Sequence, residues 1–84
     1  MDQKRITNVV ETMFGLYEKP VEVLREETGT SRSTISKFFN NKKIKAFTKS
    51  YLYRSCIALI AKKLDEEEEL NKKFDTLVKR YKSR

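Results

Sequence analysis

The stretch Pro20–Asn40, PVEVLREETGTSRSTISKFFN, decides how this chain is read. Pro20 suits the first turn of a helix, where its missing N–H costs nothing. Val21, Leu24 and Thr28 then fall on one side, with Glu22, Glu26 and Glu27 mainly on the other. Gly29 closes this short helix as a residue able to take positive φ. Ser31 is a candidate N-cap for a second short helix, Arg32 to Asn40. In it Ile35, Phe38 and Phe39 form a narrow apolar stripe at i, i+3, i+4. The rest of that helix is hydroxylic or cationic. A helix apolar at so few positions can be held down along one edge while its other side meets something polar.

Upstream, Ile6, Val9, Val10, Met13, Phe14 and Tyr17 follow the spacing of an amphipathic helix, with Asp2 as its N-cap and Gly15 and Pro20 ending it. Downstream, Asn40–Asn41 signals a turn and Lys42 to Ala46 read as a basic loop. Thr48 or Ser50 can cap a fourth helix. Its stripe is Tyr53, Cys56, Ile57, Ile60, Ala61 and Leu64, widened by Leu52 and Leu59. In the tail from Asp65 to Arg84, Leu70, Phe74, Leu77 and Tyr81 step by four, three and four, a heptad seam of about two repeats. Glu68–Lys72 and Glu69–Lys73 are i, i+4 pairs in the favourable order. The expectation is either one helix from about Thr48 to Lys82 or a bend near Asp65. No segment alternates with period two, so the expected fold class is all-α: residues 1–64 as one helix-turn domain, 65–84 as a helical extension and the expected dimerisation element.

The totals narrow the function. The 84 residues suffice for one small domain. There is one cysteine and no histidine, which argues against a disulfide within the chain, a Cys/His metal site and the commonest general acid–base chemistry. No phosphate-binding glycine loop is present, and neither an enzyme nor a cofactor is expected. No apolar run approaches the ~20 residues that span a bilayer, and no secretory signal is evident, so a cytoplasmic location is expected. The net charge of +7 lies in the middle of the chain. From Thr28 to Lys63 there are nine basic residues and no acid, whereas from Asp65 to Arg84 six acids cancel six bases. Solvated faces normally mix signs, so an acid-free run of this length points to a polyanion.

Gly29, Ser31, Arg32, Thr34, Ile35, Ser36 and Lys37 fit the turn-and-helix form G-x-S-R-x-T-[IV]-S-[RK]. In this the chain resembles the helix-turn-helix of phage-repressor and Cro-type (XRE) proteins and the DNA-reading heads of lac-repressor-like proteins. The likeness spans roughly Ile6 to Leu64. It departs at Arg25, where those families usually carry Ala, and at Thr30, where they carry Val or Leu. The resemblance implies a four-helix domain in which the first helix packs across the back of the pair and the fourth closes the core. It also implies that the helix after Ser31 enters the major groove of double-stranded DNA.

On that basis Arg32, Ser33, Ser36 and Lys37 are assigned to base edges, Arg32 foremost because a guanidinium matches guanine O6 and N7. Ser31, Thr34, Asn40, Lys42, Lys43 and Lys45 are assigned to phosphates. Phe39 is expected to pack toward the fourth helix. The function expected is that of a small transcriptional regulator of phage or mobile-element type, a homodimer reading half-sites roughly 34–36 Å apart, with no small-molecule effector. Leu70, Phe74, Leu77 and Tyr81 are the expected interface. The alternative is an antitoxin-like or adaptor module whose terminal helix binds a partner protein.

Overall fold

A computed structural model of the chain describes residues 3–83. It is all-α, with no strand among the described residues and four helices: α1 Gln3–Leu16, α2 Pro20–Thr28, α3 Arg32–Phe39 and α4 Ala46–Lys82. Asp2, the expected cap of α1, lies outside the described residues.

The core is one cluster to which every helix contributes: Ile6 and Met13 from α1, Leu24 from α2, Ile35 and Phe38 from α3, and Leu52, Cys56 and Leu59 from α4. Burying side chains of this size stabilises a fold by about 1.5–3 kcal/mol each. Val9, Val10, Val21, Tyr53 and Ile60 pack partly buried around it. The helix α1 packs most extensively against α4, while α2 and α3 pack on each other and on α4. The largest contact of α1 is thus with α4, and it also reaches α3, where Phe14 meets Phe39. Tyr17, just past α1, reinforces it: its hydroxyl donates to the Leu59 carbonyl at 2.8 Å, and the Lys63 ammonium lies 5.5 Å over its ring.

The stripe expected on α4 is displaced. Leu52, Cys56 and Leu59, not Ile57, Ala61 and Leu64, form its buried edge; Ile57, Ala61 and Leu64 are exposed. Nine apolar residues in the segment leave the phase of the stripe ambiguous, and only the three helices stacked on α4 select one edge. Burial raises the Cys56 thiol from 9.0 to about 12, as desolvation of a thiolate must. The start of α4 also differs from expectation. Lys45 adopts an extended conformation with no side-chain capping bond, and α4 begins at Ala46, ahead of Thr48 and Ser50. A side-chain cap contributes about 1 kcal/mol, which a 37-residue helix can forgo.

The helix α4 runs unbroken through Asp65, so the single-helix alternative holds and the bend does not. The Glu68–Lys72 pair closes at 3.5 Å. Past Lys63 the helix leaves the other three behind, and no residue from Leu64 to Ser83 is buried.

Candidate nucleic-acid interface

Helix α3 is held by its two ends and one edge. At its start, Ser31 is extended (φ −65°, ψ 150°) and its hydroxyl accepts the Thr34 N–H at 3.3 Å. The same hydroxyl donates to Thr34 Oγ1 at 3.0 Å, so Ser31 and Thr34, both assigned to phosphates, are engaged with each other. The turn before it is set by Gly29, which sits at φ 71° and donates its N–H to the Arg25 carbonyl at 2.8 Å. A Cβ at this position would force a left-handed residue that costs about 1–2 kcal/mol. At the far end Asn41 takes φ 57°. Its N–H reaches the Phe38 carbonyl at 3.3 Å and the Lys42 N–H reaches the Lys37 carbonyl at 2.7 Å. This pair of bonds is the Schellman closure, with Asn in the position glycine usually fills. It turns the chain sharply, so that Lys42 and Lys43 come back beside the helix they follow.

With Ile35 and Phe38 buried, a step of 100° per residue points Ser33, Ser36, Lys37 and Asn40 outward. These four, with Lys42 and Lys43, line one shallow open depression. Three predicted base readers and three predicted phosphate binders therefore share a single surface. Asn40 belongs to the outward strip as much as the readers do. Its amide nitrogen donates to the Ser36 carbonyl at 2.8 Å and lies 3.4 Å from the Ser36 hydroxyl, so it also terminates the helix.

Arg32 is not at the centre of this strip. It lies on the flank facing α2, where its guanidinium forms an ion pair with Glu22. Glu22 also receives Arg25 at 3.4 Å. Arg25, at the position where the resembled families carry Ala, is exposed beside Glu22. Lys45 lies outside the depression, at the exposed start of α4.

Comparison with protein-family models, curated proteins and solved structures finds no match for the chain.

What the surface can do follows from its chemistry. Hydroxyls and an amide offer both donors and acceptors, and three ammonium groups ring them without an acid in the depression. Such a set suits a polyanion that also presents hydrogen-bonding edges. Two features are set by the tertiary structure and not by the local sequence. Glu22 as the holder of Arg32 comes only from the α2–α3 crossing, since the two are ten residues apart and on different helices. Phe39 was expected against α4, yet its ring meets Phe14 of α1 edge-on with centroids 5.3 Å apart. Because Phe39 lies one position beyond the buried Phe38, it turns to the α1 side of the core. Among the described residues no group of three or more Cys, Asp or Glu side chains is placed to hold a metal ion.

Proposed function

We propose that the chain binds double-stranded DNA through α3 and the turn that follows it, as a small transcriptional regulator. The observation that carries this reading is the depression lined by Ser33, Ser36, Lys37, Asn40, Lys42 and Lys43. It combines an exposed helix edge with cations placed on either side of it, on a helix anchored by only two buried residues. Ser33, Ser36 and Lys37 read base edges. Lys42 and Lys43 take phosphates beside the groove, with Lys45 reaching the backbone further along. The Schellman turn gives these lysines their place without any contribution from the ligand. Arg32 contributes once it exchanges Glu22 for DNA, to a base or to a phosphate on the α2 side.

The experiment is selection from a random duplex library followed by titration of variants. Lys37→Ala weakens binding and alters the selected sequence, while circular dichroism stays unchanged. Lys42→Ala and Lys43→Ala weaken selected and random duplexes alike, and each lowers the slope of log affinity against log salt by roughly one unit. A chain that selects no duplex, or variants that bind as the parent does, defeats the assignment of α3.

A second reading has its own observation. Leu70, Phe74, Leu77 and Tyr81 are 61–79% exposed in the single chain, and a bare seam of this kind is where another protein docks. A DNA-binding head and a protein-binding tail are compatible, and the tail serves either a homodimer or a foreign partner.

A further inference from the structure

The bare seam carries more information than its exposure. Along α4 at 100° per residue, Leu70, Phe74, Leu77 and Tyr81 project from the same side of the helix as the buried Leu52, Cys56 and Leu59. The core stripe thus resumes after an interruption at Lys63 and Glu66, with none of the described residues of the same chain over it. The charges flanking the seam are segregated. Asp65 to Glu69 are five consecutive acids, while Lys79, Arg80, Lys82 and Arg84 are the basic residues near the other end.

The geometry points to a second copy of this chain as the occupant, with its α4 tail running antiparallel. In the register that centres the pair between Asp75 and Thr76, Leu70 meets the partner's Tyr81 and Phe74 meets the partner's Leu77. The same two layers recur on the other side of the two-fold axis, so all four seam residues of each copy are used and none is left over. This is the self-complementary arrangement an isologous interface requires. It also brings the acidic block to the partner's basic end: Glu69 comes level with the partner's Lys82, while Lys79 and Arg80 lie within about one helical turn of that level. A parallel pair would instead stack five acids on five acids, a like-charge arrangement that disfavours association. The acids and bases choose the direction, and the apolar residues supply the contact.

The consequence is a rod with a head at each end. At a rise of 1.5 Å per residue, the stretches bearing Leu52 to Leu59 lie about 50–70 Å apart across the axis. Where the DNA reading holds, the two α3 helices are then separated by nearer two turns of B-DNA than the one turn expected from sequence. The antiparallel pair itself does not depend on DNA, and its test is made without it.

The test is a spin-label distance in the full-length chain. Arg54→Cys is exposed, faces away from the seam and sits in the head-bearing part of α4. The native Cys56 is buried and stays unlabelled at neutral pH. An antiparallel pair gives a distance of about 65 Å between the two labels, whereas a parallel pair of helices brings them within about 20 Å. The short distance, or a monomer with no dipolar signal at 100-fold dilution series from roughly millimolar chain, overturns the proposal. Charge inversion adds an independent arm. Glu67→Lys with Glu68→Lys and Glu69→Lys weakens the pair by roughly tenfold or more. Adding Lys82→Glu and Arg84→Glu restores it. In a parallel pair the first change only exchanges one repulsion for another, so unchanged association overturns the assignment. A chain that gives the long distance but binds no duplex keeps the pair and defeats only the DNA reading.

Discussion

The helix α4 carries two apolar stripes on one face, and they meet opposite fates. Leu52, Cys56 and Leu59 are at most 5% exposed, whereas Leu70, Phe74, Leu77 and Tyr81 are 61% exposed or more. Spacing, helix and side are the same for both. The difference lies in what stands opposite: α1, α2 and α3 over the first stripe, none of the described residues of the same chain over the second. The boundary is local and physical. Tyr17, bonded to Leu59 and covered by Lys63, is the last residue of α1's side to hold α4. Periodicity therefore says which side of a helix wants cover, and only the arrangement of other elements says whether it is covered.

That contrast can be broken most sharply by truncating one large apolar side chain in each stripe. Leu52→Ala opens a cavity in the shared core and should cost about 2–5 kcal/mol, a large part of the stability of so small a domain. Phe74→Ala should leave the urea midpoint of the dilute single chain where it was. If the two variants lose comparable stability under dilute conditions, the tail is packed against the head and the contrast fails.

Removing residues 65–84 is the next test. The head keeps all of its buried residues and the whole net charge, because the tail is neutral, so helicity per residue and thermal midpoint should persist. Sedimentation should show a monomer, with binding to random duplexes retained and binding to a two-half-site duplex falling steeply as the tether is lost. A truncated chain that stays paired would move the interface into the head.

Within the DNA-binding reading, Glu22→Gln sharpens the picture of the head. It releases Arg32 and removes an acid beside the proposed phosphate path, so affinity for duplex should rise by roughly fivefold, close to 1 kcal/mol. Arg32→Ala on the Glu22→Gln background should cancel that gain. Fluorescence anisotropy at fixed salt reads both, and a Glu22→Gln variant no tighter than the parent would show that the pair does not compete with DNA.

Thiol chemistry compares the stripes directly. Cys56 should resist a maleimide until the chain unfolds, while Leu77→Cys in the dilute chain should react at once. The folded-state thiol ionises near 12 rather than 9.0 because burial penalises the thiolate. Its contribution to stability is therefore complete below pH 9 and is lost as pH rises from about 9 towards 12. Urea midpoints of the parent should fall over that window relative to Cys56→Ala. The smallest effect expected is at Gly15 in α1, where a Cβ meets open space and φ is not positive. Gly15→Ala should add about 0.4–1 kcal/mol, read as a higher thermal midpoint.

Much of the head was legible in the chain itself. Pro20, Gly29 and Ser31 mark the ends of α2 and the start of α3 through constraints local to a few residues: a fixed φ, freedom at positive φ, and a hydroxyl within reach of an N–H. The two-residue anchor of α3, Ile35 and Phe38, follows from helical spacing alone, and so does the outward strip of Ser33, Ser36 and Lys37. The continuity of α4 does not follow from spacing, because a helix without Gly or Pro can still bend where packing asks it to.

Other features were decided only in three dimensions. Leu52, Cys56 and Leu59 became the buried edge of α4 because α1–α3 stack there, and no count along a segment so rich in apolar residues selects that edge. Arg32 turned to the flank because Glu22 crosses beside it, an encounter between residues distant in sequence. Phe39 went to Phe14 because α1 lies on that side of α3. Local chemistry determines where helices start, stop and show an apolar side, since those terms act over one turn. The choice among apolar sides, and the partner each charge finds, depends on contacts between helices, whose energy exists only once the elements are placed together.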